Sequence, residues 1–155
     1  MKIRFLADEM NGDIARWLRI MGFDCLYITG KNLDNKLIEI CLNENRILLT
    51  SDKELYLKAT SRGVNSILTL EESRREKLRK IVETLNLKKL VFKEFRCPVC
   101  NSILTKVNSK LVKGKIPDSV VKSHDFVWLC KNCGKVYWEG SHWRNILKFI
   151  REILK

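Results

Sequence analysis

Apolar and polar positions in the first 90 residues follow two alternating patterns. Short apolar runs predict four buried strands, at residues 3–7, 24–28, 46–50 and 64–68. After each run, apolar residues recur every three or four positions and predict helices, at residues 11–21, 35–45, 53–61 and 71–85. Strands that alternate with helices indicate a parallel sheet covered on both faces. The predicted fold class is therefore α/β.

The pattern changes after residue 90. Short strands and turns follow, with apolar runs at residues 103–107 and 126–130, and a final amphipathic helix runs through Leu154. We therefore expect two domains, residues 1–90 and residues 91–155. A unit of the second size is too small to bury a large core, so an additional stabilising element is expected there.

Two cysteine pairs in the second segment supply that element. Cys97-Pro-Val-Cys100 and Cys130-Lys-Asn-Cys133 are separated by 29 residues, 101–129. Two C-x-x-C pairs can place four thiolates around one tetrahedral zinc ion, and the intervening length suits a zinc ribbon. The alternatives are two disulfides or thiols that only fill the core, and either His124 or His142 can be a substitute ligand.

The setting in which the protein works bears on the disulfide alternative. The chain begins without a secretory signal, and no apolar run is long enough to span a membrane. We therefore expect a cytoplasmic protein without a membrane partner, and disulfides are rare in that compartment. Cys25 and Cys41 lie in apolar stretches and are expected to be buried thiols.

Positive charge is concentrated in the second segment. The chain has a net charge of +12; residues 1–90 hold 17 Lys/Arg and 13 Asp/Glu (+4), and residues 91–155 hold 13 and 5 (+8). Such an excess attracts polyanions through phosphate contacts and counterion release. Lys106, Lys113 and Lys115 are the candidate phosphate contacts, and a merely solvated surface is the alternative.

Three aspartates lie near predicted strand ends or helix starts of the first domain. Asp8 follows the first strand, Asp52 follows the third, and Asp34 begins the helix between them. In an open parallel sheet, sites form outside the carboxyl ends of the strands, and carboxylates there can bind Mg²⁺ or Mn²⁺. Each acid also has an ordinary interpretation, because Asp34 and Asp52 suit helix N-termini and Asp8 suits a strand end.

Four segments carry a resemblance to a known family. They are Phe5-Leu-Ala-Asp-Glu-Met-Asn-Gly-Asp-Ile-Ala-Arg-Trp-Leu-Arg-Ile-Met-Gly-Phe-Asp24, Arg46-Ile-Leu-Leu-Thr-Ser-Asp52, Phe95-Arg-Cys-Pro-Val-Cys-Asn101 and Val136-Tyr-Trp-Glu-Gly-Ser-His-Trp143. In this order the chain resembles the Mut-seven C-terminal domain family, a branch of the PIN-like ribonucleases with a C-terminal zinc ribbon. The resemblance covers nearly the whole chain.

The resemblance implies a Mg²⁺- or Mn²⁺-dependent endoribonuclease, a hydrolase that leaves 5′-phosphate and 3′-hydroxyl ends on RNA. By it, Asp8, Asp34 and Asp52 are the catalytic, metal-binding acids, and the four cysteines hold a structural zinc. Typical PIN domains have a further glutamate on a middle helix. This chain has no clear equivalent, and Glu9 or Glu39 is the available substitute.

Further contacts to RNA are expected from the same segments. Asn11 and Arg16 lie in the first one and are candidate metal or phosphate contacts, while an Arg16–Asp13 ion pair across a helix turn is the alternative. His142 and Trp143 are candidate base or phosphate contacts. For these two the alternative is that they only begin the last helix.

Two other functions compete with the nuclease. A non-catalytic protein that binds RNA, such as ribosomal RNA, or the ribosome itself fits the basic second segment and the missing fourth acid. A receiver-like phosphoacceptor domain would use Asp8, Glu9 and Asp52 and needs a lysine after a further strand. Leu68 is followed by Thr-Leu-Glu-Glu, so the sequence disfavours it.

Overall fold

Four strands form a parallel sheet in the computed structural model, which describes residues 2–155. They are β1 (Arg4–Ala7), β2 (Asp24–Tyr27), β3 (Ile47–Thr50) and β4 (Ser66–Leu68). The order across the sheet is β2-β1-β3-β4, and every neighbouring pair is parallel. The predicted α/β class with a parallel sheet is confirmed.

A helix follows each of these strands along the chain. A 3₁₀ turn (Glu9–Asn11) leads into the first of them; the helices are α1 (Gly12–Ile20), α2 (Asp34–Glu44), α3 (Lys53–Ser61) and α4 (Arg74–Leu85). Because β2 and β3 lie on opposite sides of β1, right-handed crossovers place α1 on one face and both α2 and α3 on the other. The packing agrees with this arrangement. The helix α1 packs on β1 and β2 and contacts α4, whereas residues of α2 and α3 form an apolar cluster with Leu6 and Leu48.

Two local signals set helix ends in this unit. The helix expected from residue 71 begins later, because Ser73 and Glu76 form a reciprocal capping box at the start of α4. At the end of α1, Gly22 has φ +98°, and a Cβ there would collide with the carbonyl oxygen of Glu94. Only glycine satisfies both requirements, so the glycine seen after the predicted helix is a true C-terminal signal.

A second compact unit comprises Ser102–Lys155. Its elements are β5 (Thr105–Asn108), α5 (Asp118–Ser123), β6 (Phe126–Leu129), β7 (Val136–Tyr137) and α6 (Ser141–Leu154). The three strands form an antiparallel sheet in the order β5-β6-β7. The short α5 was not predicted, because its 6 residues leave little room for a helical apolar pattern.

The first unit ends at Asn101, later than the boundary expected at residues 90 and 91. Hydrogen bonds tie residues 92–101 to the α/β domain: Phe92 N donates to Met21 O (2.8 Å), and Arg19 Nη1 donates to the carbonyls of Pro98 (3.1 Å) and Val99 (3.2 Å). These contacts join residues far apart in sequence, so composition did not reveal them. None of the helices in residues 2–155 is both long and apolar enough to cross a membrane.

Candidate functional sites

The four paired cysteines converge at one point. Their Sγ atoms all lie within 4.8 Å of one another, and all four are free of disulfide bonds. Each pair lies on a tight turn closed by backbone hydrogen bonds, from Asn101 N to Cys97 O (2.9 Å) and from Gly134 N to Cys130 O (2.8 Å). Among residues 2–155, this is the one group of three or more His, Cys, Asp or Glu side chains gathered so closely.

The donor set fits zinc. Zn–S bonds of about 2.3 Å in a tetrahedron put the sulfurs roughly 3.8 Å apart, which is compatible with four sulfurs that all lie within 4.8 Å of one another. The backbone N–H of Cys133 points to Cys130 Sγ (3.5 Å), a contact that stabilises a thiolate. Four cysteines are therefore placed to bind a metal ion such as zinc, as the spacing predicts.

Neither histidine is needed for that site. His124 uses both ring nitrogens elsewhere, with Ser123 Oγ and Glu139 O each at 2.8 Å. His142 is exposed in the first turn of α6 and is absent from the cysteine group. The four-cysteine ligand set is complete without a substitute.

The two remaining cysteines are core thiols, as expected. Cys25 and Cys41 are buried in the first unit. Burial raises the pKa of Cys25 to about 12 and that of Cys41 to about 11. Both thiols therefore stay protonated at neutral pH and serve the core.

Asp8 lies at the carboxyl edge of the parallel sheet and is buried. Its Oδ1 accepts a hydrogen bond from Asn11 Nδ2 (2.7 Å), and its Oδ2 accepts from Thr50 Oγ1 (2.5 Å) and Ser51 N (3.2 Å). It forms no ion pair with any residue in 2–155. A buried carboxylate is costly without such donors, so the local structure is built to hold this group.

A ring of small polar side chains surrounds Asp8, and most of it was missed by sequence reasoning. Asn11 and Thr69 are fully buried, and the Thr69 hydroxyl lies 3.0 Å from Asn11 Oδ1. Ser51 Oγ contacts both Asn11 Nδ2 (3.2 Å) and Thr69 O (2.7 Å). Thr50, Ser51 and Thr69 directly follow or end β3 and β4, and that position was the available signal.

Asp52 lies beside this ring and also caps a helix. Its Oδ1 accepts from Glu54 N (2.9 Å) and Leu55 N (3.2 Å), so Asp52 is the N-cap of α3, and its expected place at a helix N-terminus is confirmed. Its backbone N–H donates to Thr50 Oγ1 (3.0 Å), the same hydroxyl that holds Asp8. Within residues 2–155, Oδ2 of Asp52 accepts no hydrogen bond, which leaves one carboxylate oxygen available.

Asp34 is placed differently from its expected capping role. The N-cap of α2 is Leu33, and Asp34 is the first helical residue, half-buried and without a side-chain cap bond. The N-cap interpretation is therefore wrong, although a carboxylate in the first turn still favours the helix dipole. The three aspartates do not form a second tight group like that of the cysteines.

The other candidates in the first unit are on its surface. Arg16, Glu9 and Glu39 are exposed. The expected Arg16–Asp13 pair is wrong, because Asp13 pairs with Arg74 of α4 instead. Asp13 therefore pairs with a residue that is distant in sequence but close in space, and not with Arg16, its neighbour one helix turn away.

The basic candidates lie in the second unit. Lys106, Lys113 and Lys115 are all exposed, and the Lys106 ammonium lies 4.7 Å from the centre of the Phe126 ring. At the start of α6, His142 is exposed whereas Trp143 is half-buried. The exposed residues of this set are available to a polyanion.

Comparison with known proteins identifies one family. The family model described as "Mut7-C RNAse domain" matches residues 3–150, nearly the whole chain. Comparisons with curated proteins and with solved structures found no match. The matched span includes Asp8, its polar ring and all four paired cysteines. The chain therefore belongs to the Mut7-C RNAse domain family.

Proposed function

We propose that this protein is a Mg²⁺- or Mn²⁺-dependent endoribonuclease whose reaction takes place at the carboxyl edge of the parallel sheet. The family supplies the substrate class, because an RNase domain implies RNA. The observation that carries the proposal is Asp8, a buried carboxylate held by three hydrogen-bond donors and paired with no cation within residues 2–155.

The donors leave limited room on Asp8 for a cation. A carboxylate has roughly four lone-pair positions, and three are used by Asn11, Thr50 and Ser51. Asp52 contributes a free Oδ2, and Asp34 a carboxylate without a hydrogen bond inside residues 2–155. All are oxygen donors, the type that Mg²⁺ and Mn²⁺ prefer. Asp8, Asp34 and Asp52 would hold the cation.

The protein's own groups have definable tasks in this proposal. A divalent cation would supply Lewis acidity and charge neutralisation for phosphodiester hydrolysis. Asn11 fixes Oδ1 of Asp8, and Thr50 links Oδ2 of Asp8 to the backbone of Asp52. Asn11 is therefore a positioning residue, because its two short contacts run to Asp8 and to Thr69, not outward.

One observation favours a second candidate, a non-catalytic RNA-binding or ribosome-binding protein. The three aspartates do not form a tight ligand group, whereas the cysteine set does. In that case the ring around Asp8 would serve only to join the ends of β1, β3 and β4.

Cleavage of structured and single-stranded RNA in Mn²⁺ or Mg²⁺ tests the proposal. Wild type should cut RNA, and Asp8→Asn should abolish cutting because the cation loses a charged ligand. Asp118→Asn is the matched control: it is an exposed aspartate at the start of α5, and its activity should equal that of wild type. Wild type that cuts no RNA and gains no thermal stability from Mn²⁺ would leave the binding protein as the better description.

A further inference from the structure

The three-stranded sheet of the second unit has two chemically different faces. In antiparallel pairing, residues directly opposite each other project to the same face. Val107 is opposite Val127, and Leu129 is opposite Val136. These four residues pack in the apolar core of the unit with Val112, Ile116 and Val120. One face of the sheet is therefore fully used for folding.

The other face is aromatic and basic. Asn108 is opposite Phe126, Lys106 is opposite Trp128, and Trp128 is opposite Tyr137. Three rings thus occupy adjoining positions across the strands, with one lysine and one amide beside them. No carboxylate occupies a position of this face in the three strands. We call these five residues the aromatic face.

Part of the aromatic face is open to solvent. Phe126 is 55% exposed, Lys106 and Asn108 are exposed, and Trp128 and Tyr137 are half-buried. The Lys106 ammonium lies 4.7 Å from the centre of the Phe126 ring, within the range of a cation–π contact. A positive charge, that of Lys106, therefore lies next to the exposed apolar surface of Phe126. Phe126 therefore exposes an aromatic ring on a face that also carries the half-buried rings of Trp128 and Tyr137.

Charge selects the kind of partner. Residues 102–155 contain 11 Lys/Arg and 4 Asp/Glu, a net charge of +7. A partner must therefore combine negative charge with flat apolar groups. Unpaired nucleotides have both, since their bases can stack on aromatic rings while their phosphates meet lysines. In a duplex the bases are already stacked on one another and are not available to the rings.

We propose that the aromatic face binds single-stranded RNA by base stacking, with Phe126 as the outermost ring and Lys106 beside a phosphate. The proposal deepens the proposed function and rests on RNA being the substrate. It assigns unpaired RNA as the substrate class, because the rings discriminate against a closed duplex. Lysines alone would bind either form.

Binding measurements without cleavage test this directly. The probes are a short fluorescent oligouridylate and a blunt RNA duplex, in buffer free of added divalent cations and without chelator, so that the zinc stays bound. Wild type should prefer the oligouridylate. Phe126→Ala should raise the Kd for the oligouridylate about fivefold or more. A change of about fivefold is the smallest expected for the loss of one stacking contact. Phe126→Tyr keeps the ring and should bind like wild type.

Two further variants provide controls. Leu111→Ala removes an apolar side chain that is 78% exposed but lies outside the aromatic face, and it should leave the Kd unchanged. Lys106→Gln should reduce the salt dependence of binding, by about 0.7 in slope for one single-strand phosphate contact. Circular dichroism should show that every variant is folded, as expected for exposed positions.

The outcomes separate this proposal from the nuclease. Loss of affinity in Phe126→Ala, together with a wild type that never cuts RNA, would keep the aromatic face and remove the nuclease. Cutting by wild type with an unchanged Kd in Phe126→Ala would keep the nuclease and overturn the aromatic face. Equal losses in Leu111→Ala and Phe126→Ala, equal affinity of wild type for duplex and oligouridylate, or no binding at all by wild type would also overturn it.

Discussion

Asn101 offers a sharp test of how the first cysteine turn is joined to the α/β domain. It follows Cys100 directly and is 9% exposed. Its Oδ1 accepts from Cys25 N (3.0 Å), and its Nδ2 donates to Asp24 Oδ1 (2.8 Å). Its φ of +71° lies in the left-handed region, which asparagine and glycine tolerate better than other residues. One side chain thus joins the cysteine turn to β2.

The cost of removing it can be estimated from these contacts. Asn101→Gly leaves the buried N–H of Cys25 without its partner, which costs about 1–3 kcal/mol. Loss of one donor to Asp24 adds about 1 kcal/mol, because Arg46 still holds that carboxylate. Asn101→Ala has the same losses plus about 1–2 kcal/mol of left-handed strain. That strain exceeds the 0.4–1 kcal/mol, roughly, by which alanine usually outperforms glycine.

Urea unfolding of the zinc-loaded protein, followed by circular dichroism, measures these differences. We expect the stability order wild type, then Asn101→Gly, then Asn101→Ala. Asn132→Ala is the control, since Asn132 lies in the second cysteine turn but is exposed, and it should change stability by less than about 0.5 kcal/mol. An Asn101→Gly variant as stable as wild type would refute the view that this side chain joins the turn to β2. Alanine more stable than glycine would refute the strain argument.

Three further predictions follow from the same structure. Metal analysis of native protein should return about one zinc per chain, held by the four paired cysteines, and Cys97→Ser should lower that content and the stability together; unchanged content would contradict the site. Without divalent cations, Asp8→Asn should cost about 1–3 kcal/mol in urea unfolding, because its NH₂ group must face a donor from Asn11 or Ser51; a neutral result would mean that the hydrogen bonds to Asp8 contribute little. The pKa of Asp24 is lowered from 3.8: burial raises it, but hydrogen bonds from Arg46 and Asn101 outweigh burial. This stabilisation is present above about pH 3.8 and is lost as the pH falls through the folded-state pKa, so the stability gap between wild type and Asp24→Asn should shrink in acid, and a gap independent of pH would refute it.

The contacts of residues 92–101 change what metal removal is expected to do. From sequence alone, loss of zinc is expected to unfold residues 91–155 and to leave much of residues 1–90 folded. Arg19 of α1 donates to the carbonyls of Pro98 and Val99, and Asn101 contacts β2. Chelation should therefore also weaken protection of backbone amides in β2, which hydrogen exchange can measure. Unchanged exchange in β2 after chelation would show that the turn keeps its shape without metal.

The sequence by itself determined the strands and helices of the first unit and the metal ligands. The four parallel strands and their helices follow from apolar periodicity, which depends only on neighbouring residues. The cysteine pairs could also be recognised from the sequence, because two ligands on one tight turn are a local feature. The resemblance carried by the segments from Phe5 to Trp143 also came from sequence order alone, and the family match to residues 3–150 agrees with it.

Only the tertiary structure decided which groups meet. Asn11, Thr50 and Thr69 are distant in sequence, and the strand order β2-β1-β3-β4 brings them around Asp8. The aromatic face likewise depends on register, because a shift of one residue would move its rings to the core side. Hydrogen bonds and cross-strand pairs between distant residues depend on packing of the whole domain, and no local pattern encodes that packing.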